Sequence, residues 1–78
     1  MSQAFSYRHL YYFWVVAKEG GMARAAERLG MAVQTVSAQV RELERSLGCA
    51  LLKPAGRGLV LTEAGQAALR QADQIFQL

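Results

Sequence analysis

Gln34, Thr35, Ser37, Ala38, Arg41 and Arg45 offer an amide, two hydroxyls, a methyl and two guanidiniums within one short stretch. These groups suit recognition. An amide such as that of Gln34 can bond adenine N6 and N7 together, and a methyl such as that of Ala38 is limited to apolar contact, for example with a thymine methyl. Guanidiniums meet phosphates. Arg57, between the glycines of Pro54-Ala55-Gly56-Arg57-Gly58, is a further cation of this kind. Catalysis has no comparable set. His9 is the only histidine and Cys49 the only cysteine, which excludes a zinc-ligand set, and neither a nucleophile–base pair nor a glycine-rich phosphate loop is present. No enzyme activity, metal or cofactor is expected.

The recognition groups need a helix to present them, and the chain supplies one. Val33, Val36, Val40, Leu43 and Leu47 recur at spacings of three, four, three and four, which places them on one stripe of a helix over 33–47. Gln34, Thr35, Ser37, Ala38, Arg41 and Arg45 fall on the other side. Ahead of it, the alanine-rich segment Met22–Leu29 predicts a shorter helix, ended by Gly30. A short helix, a glycine turn and a longer helix with a polar front form the helix-turn-helix pattern. Its second helix enters the DNA major groove with N-terminal residues at the base edges.

The rest of the chain frames this pair. Residues 1–6 form a lead-in, with Ser6 as cap for a helix from Tyr7 to Glu19 that carries Leu10, Phe13, Val16 and Ala17 on one face. Tyr11, Tyr12 and Trp14 widen its apolar side. They either cover the edge of a small core, or Trp14 or Tyr11 packs against another subunit or domain. Gly20-Gly21 separates this helix from the next, and Gly48 stops the long one. Two extended segments, 50–53 and 59–61, joined through Pro54–Gly58, predict a hairpin wing with Arg57 near its tip. Thr62 caps a last helix from Glu63 to Leu78, where Ala64, Ala68, Leu69, Ala72, Ile75 and Phe76 make a wide apolar side. That side predicts a homodimer through Leu69, Ala72, Ile75 and Phe76, and its continuation to the last residue suggests the front part of a longer protein. The expected core is Val36, Val40, Leu43 and Leu47 with Leu10, Phe13, Leu29 and Leu52. Cys49, in an apolar run, is expected to join it.

Composition sets the bounds. Seventy-eight residues, 53% hydrophobic, suit one small globular domain. The net charge is +3 and the isoelectric point near 9.5. Residues 1–62 hold eight Lys/Arg against four Asp/Glu, so the basic excess precedes the last helix. That excess is compatible with a nucleic-acid partner. A single cysteine forms no intrachain disulfide, and no apolar stretch approaches the ~20 residues of a membrane span. A soluble cytoplasmic protein, with no membrane partner, is expected.

The residues resemble the LysR-type bacterial transcription regulators. The resemblance covers roughly residues 7 to 70 and runs through Leu10-x-x-Phe13, Val16-Ala17-x-Glu19-Gly20 and Ala25-Ala26-x-x-Leu29. It continues with Val36-Ser37-x-Gln39-Val40-x-x-Leu43-Glu44-x-x-Leu47-Gly48, then Leu51-Leu52 and Leu61-Thr62-x-Ala64-Gly65. Tyr11-Tyr12-Phe13-Trp14 and Gly56-Arg57-Gly58-Leu59 look like the subgroup that regulates sodium/proton antiporter genes. The resemblance implies a mainly α fold, a winged helix-turn-helix with a two-stranded wing over residues 1–62. A long C-terminal linker helix then begins over 63–78 and makes the dimer. It implies double-stranded DNA as partner and a tetramer as a further assembly of the full-length protein. A following effector domain is absent from this chain, so no effector ligand binds here. Carried over, the base-reading positions are Gln34, Thr35, Ser37 and Ala38, with Arg41 on the same face and Arg57 as the wing arginine.

The chain departs from the family at several contact positions. Ala32 stands where a serine usually caps the recognition helix, and Val33 where glutamine or proline is usual. Gly21 and Ala23 replace a serine and threonine that would donate to phosphate, and Pro54 replaces a first wing arginine. These losses motivate a second reading, a winged-helix protein-interaction module without sequence-specific DNA binding. The arginines discriminate. A DNA binder gathers most of Arg24, Arg28, Arg41, Arg45 and Arg57 around the exposed recognition face, whereas Arg41 and Arg45 paired with Glu42 or Glu44 would be ordinary solvated surface.

Overall fold

Four helices and one hairpin follow in the order α1 (Tyr7–Glu19), α2 (Met22–Leu29), α3 (Val33–Leu47), β1 (Leu52–Ala55), β2 (Gly58–Leu61) and α4 (Glu63–Phe76). The computed structural model describes residues 6–77; the expected lead-in over residues 1–5, and Leu78, lie outside the described residues. The fold is the mainly helical one expected, with a two-stranded antiparallel wing between the third and fourth helices.

Local chemistry sets the helix ends. The Ser6 hydroxyl accepts from the Arg8 amide at 3.1 Å and starts α1. Thr62 starts α4 by accepting from the Gly65 amide at 2.9 Å. Gly20, Gly30 and Gly48 end the first three helices in the left-handed region, where a side chain would strain the backbone. α1 is the centre of the packing and touches α2, α3 and α4. Leu10, Phe13, Val15 and Val16 from α1 meet Ala25 and Ala26 from α2, and Val36, Val40 and Leu43 from α3.

The predicted stripe on α3 is buried only in its middle. Val33 is 44% exposed and Leu47 43%, while Val36, Val40 and Leu43 are covered. Val33 and Leu47 are the first and last residues of α3, on either side of its covered middle. Leu47 belongs to the surface, and Leu29 is half-buried at the core edge.

The wing is displaced from its predicted start. β1 begins at Leu52 instead of residue 50, and its register is Leu52 with Leu61, Lys53 with Val60, Pro54 with Leu59 and Ala55 with Gly58. Only Gly56 and Arg57 form the turn, with Gly56 at φ +60°. Pro54 is thus a strand residue, tolerated because both strands of a two-stranded sheet are edges. Residues 50 and 51 are not paired as a strand because other groups take their backbone. The Glu44 carboxylate accepts from the Leu51 and Leu52 amides at 2.8 and 3.2 Å. Thr62 donates through its amide to the Leu51 carbonyl and through its hydroxyl to that of Ala50, at 2.9 and 2.6 Å. This double clasp drives Leu51 into the core, where Leu52 was expected; Leu52 is half-buried. Cys49 does not join the core. It is exposed in the turn after Gly48.

α4 docks back on α1, and this contact decides the role of the aromatic residues. The Tyr11 and Trp14 rings lie 5.2 and 5.5 Å from that of Phe76, and Trp14 Nε1 donates to Asp73 Oδ1 at 2.8 Å. Lys18 pairs with the same oxygen at 2.9 Å. Tyr11 and Trp14 therefore cover the edge of their own domain's core. The hydrogen bond from Lys18, and then that from Trp14, hold the Asp73 carboxyl below its ordinary 3.8. A depressed folded-state value means that the stabilisation is present above the unfolded value and is lost as pH falls through the folded one. Asp73→Asn should consequently lower the urea midpoint at neutral pH, and the gap to wild type should close below pH 3.8. Fluorescence of Trp14, the only tryptophan, reports both, and a gap independent of pH would refute the linkage.

The apolar side of α4 is divided between two uses. Ala72 is wholly buried in the domain's own core, and Leu69 and Phe76 are half-buried against it. The expectation of Ala72 as a dimer residue is corrected accordingly: its methyl has no surface left for a partner. Ile75 is 47% exposed and faces outward, where Tyr7, Leu10, Leu47, Ala68 and Gln71 line a shallow groove with it.

Candidate nucleic-acid interface

The turn between α2 and α3 is closed by backbone bonds. Gly30 and Met31 donate to the Glu27 and Ala26 carbonyls at 3.2 and 2.9 Å, a glycine-terminated helix end followed directly by the next helix. Ala25 and Ala26 are buried on α1 and α3, so small side chains let the helices approach. With Val36, Val40 and Leu43 turned inward, α3 has one rotational setting. Gln34, Thr35, Ala38 and Arg41 are exposed and Ser37 is half-buried. The expected recognition face is thus present as a surface.

Neither helix of the motif begins with a side-chain cap. Gly21 and Ala32 occupy the two cap positions and make no side-chain bond. The first turns of α2 and α3 keep amides that no capping oxygen covers, and a helix N-terminus carries a partial positive charge.

The arginines divide. Arg28 pairs with Glu19 and Arg45 with Glu42, each at 2.8 Å. Arg41 instead donates to Ser37 Oγ at 3.2 Å, one turn back along the expected recognition face. Arg24, at the start of α2, and Arg57, at the wing tip, line one open groove with Gly21, Ala23, Val33 and Gly58. Of the five arginines in the helix-turn-helix and wing, Arg24, Arg41 and Arg57 form no ion pair among the described residues. Glu44, considered from sequence as an arginine partner, is engaged by the Leu51 and Leu52 amides instead.

Sequence patterning missed Val33 as part of this surface because its spacing matches the buried stripe. A signal was available: Val33 is the first helical residue, and helical side chains lean toward the N-terminus, away from the core covered by the following turns. Among the described residues no cluster of three His, Cys, Asp or Glu could hold a metal, and no helix is long and apolar enough to cross a membrane.

Residues 7–66 match the bacterial regulatory helix-turn-helix proteins of the lysR family. The chain belongs to the LysR family. It is a LysR-type DNA-binding helix-turn-helix domain and not an enzyme. The transcriptional activator protein NhaR of Escherichia coli K12 is 48% identical over 73 residues, covering 94% of this chain and 24% of NhaR. Among solved LysR-family structures, the complex of the CbnR DNA-binding domain with DNA is similar at 41% identity and a TM-score of 0.85, over 94% of this chain and 84% of that one. The BenM DNA-binding domain bound to benA site 1 DNA is similar at 32% identity and a TM-score of 0.85, over 91% of this chain and 83% of that one. The chain spans about a quarter of the length of NhaR.

Proposed function

We propose that this LysR-family chain reads duplex DNA with the front of α3 in the major groove and the wing on the flanking backbone or minor groove, as part of a transcription regulator. Gln34, Thr35, Ser37 and Ala38 meet base edges, and Arg41 and Arg57 meet phosphate or a narrow groove. The observation that carries this reading is where three arginines without an ion pair among the described residues lie. Arg24 and Arg57 flank the groove at the start of α3, and Arg41 continues the face that displays Gln34. A protein-interaction module has no comparable need for cations around an uncharged polar helix end.

The likeness to the CbnR and BenM domains solved with DNA supports duplex DNA as the partner. The reading extends to a homodimer joined along α4, because Ile75, Leu47 and Tyr7 leave an apolar surface beside that helix. A regulator of this kind works in the cytoplasm, and the longer protein would carry the effector site and any tetramer contacts.

The test separates specificity from affinity. Selection from random duplexes supplies the preferred site. Gln34→Ala should cost about 1–3 kcal/mol on that site and little on scrambled DNA, since an amide bonded to adenine is the group lost. Arg57→Ala should weaken both and reduce the salt slope by about one unit. Equal weakening of both duplexes by Gln34→Ala would remove the base-reading role from this face. Absence of binding to any duplex would favour the interaction module.

A further inference from the structure

Building on that reading of the surface, we infer that Val33 is a specificity-determining residue that reads a thymine by its 5-methyl group. Val33 opens α3 beside Gln34 and is 44% exposed, although its spacing matches the core stripe. It lines the same groove as Arg24 and Arg57. DNA held by those two cations would lie against the Val33 side chain. Below it, Ser37 and Arg41 continue the same row at intervals of four residues, joined by their own hydrogen bond.

The chemistry of this row changes along its length. Ser37 and Arg41 offer polar groups, whereas Ala32 and Val33, at the tip, offer only methyls among their side-chain atoms. The one apolar feature that a base pair shows in the major groove is the thymine methyl. A valine in a helix is nearly confined to one rotamer, so its two methyls are held in place before DNA arrives. Gln34 prefers adenine by its hydrogen bonds, and Val33 adds a thymine by apolar contact. The preferred site should hold both within the span of one helix turn.

Removing a methyl from the base tests this without altering the hydrogen-bonding edge. The probe is the duplex recovered by selection with this chain, compared with duplexes in which each thymidine in turn is replaced by deoxyuridine. One replacement should weaken wild-type binding about fourfold, the worth of a buried methyl-sized group. Val33→Ala should weaken the unmodified duplex by a similar factor and no longer distinguish thymidine from deoxyuridine at that position. Its melting temperature should fall far less than that of a core truncation, since Val33 is 44% exposed at the first position of the helix. Val33→Thr keeps the branched shape and should show reduced discrimination with the fold intact. Unchanged discrimination at every thymidine in Val33→Ala, or equal losses on preferred and scrambled duplexes, would overturn the assignment. If Gln34→Ala still loses specificity in that case, only the Val33 role fails. If no duplex is preferred over scrambled DNA, the base-reading function fails and the Val33 role falls with it.

Discussion

Gly65→Ala should lower the stability of this domain by about 3 kcal/mol, at the upper end of what overpacking usually costs. In a domain of this size that corresponds to a drop of about 12–24 °C in melting temperature. The sign is the informative part. Alanine in place of glycine inside a helix ordinarily gains roughly 0.5–1 kcal/mol. Here a Cβ on Gly65 would overlap the carbonyl oxygen of Leu51 and lie 3.0 Å from its carbonyl carbon and 3.2 Å from Leu61 Cδ2. The obstacle is backbone, and that backbone is held. The Leu51 amide is bonded by Glu44, its carbonyl by the Thr62 amide, and its side chain is in the core. Relief therefore requires α4 to lift at its first turn, which also loosens the bond from the Gly65 amide to Thr62. Gly58 is the control, because a Cβ there meets nothing within 4 Å and its backbone is ordinary. Thermal melts of Gly65→Ala and Gly58→Ala should differ widely, and a Gly65→Ala variant as stable as wild type would mean that the close approach of α4 to residue 51 does not exist.

Leu43→Ala and Leu47→Ala should differ although the two leucines share one stripe and one helix. Leu43 is completely covered at the junction of α3 with α1, and deleting such a side chain costs about 2–5 kcal/mol through lost burial and the cavity left behind. Leu47 is 43% exposed at the C-terminal end of the helix. Its removal should cost less than about 1 kcal/mol, close to the range of ordinary surface changes. Urea unfolding measures both. Leu43→Ala takes a large fraction of the total for a domain expected to hold roughly 0.05–0.15 kcal/mol per residue. Equal losses at the two positions would show that α3 is buried along its whole length, and the exposure of Val33 at its other end would then be in question too.

Much of the architecture was legible in the chain because it is written in short-range terms. Helix α3 over 33–47 follows from a period of three and four residues, and the ends of α1, α2 and α3 follow from glycines that alone accept a left-handed backbone easily. Thr62 and Ser6 announced helix starts because a hydroxyl reaches an amide two or three residues on. The proposed base-reading face is equally local, since Gln34, Thr35, Ser37 and Ala38 fall off the stripe at the start of the helix. What the tertiary structure alone decided are matters of distance across the fold. Periodicity says which side of a helix turns inward, but not how far the core extends beneath it, so Leu47, expected in the core, is exposed and Ala72, expected at the dimer surface, is buried. Residues 50 and 51 were expected to open the first strand, yet Glu44 and Thr62, seven and eleven residues away from Leu51, take their backbone bonds, and that strand starts two residues later. The separation of the arginines into paired and available ones was also beyond sequence. Arg28 meets Glu19 on another helix, while Arg24 and Arg57, thirty-three positions apart, come to one groove only because the wing folds back beside α2.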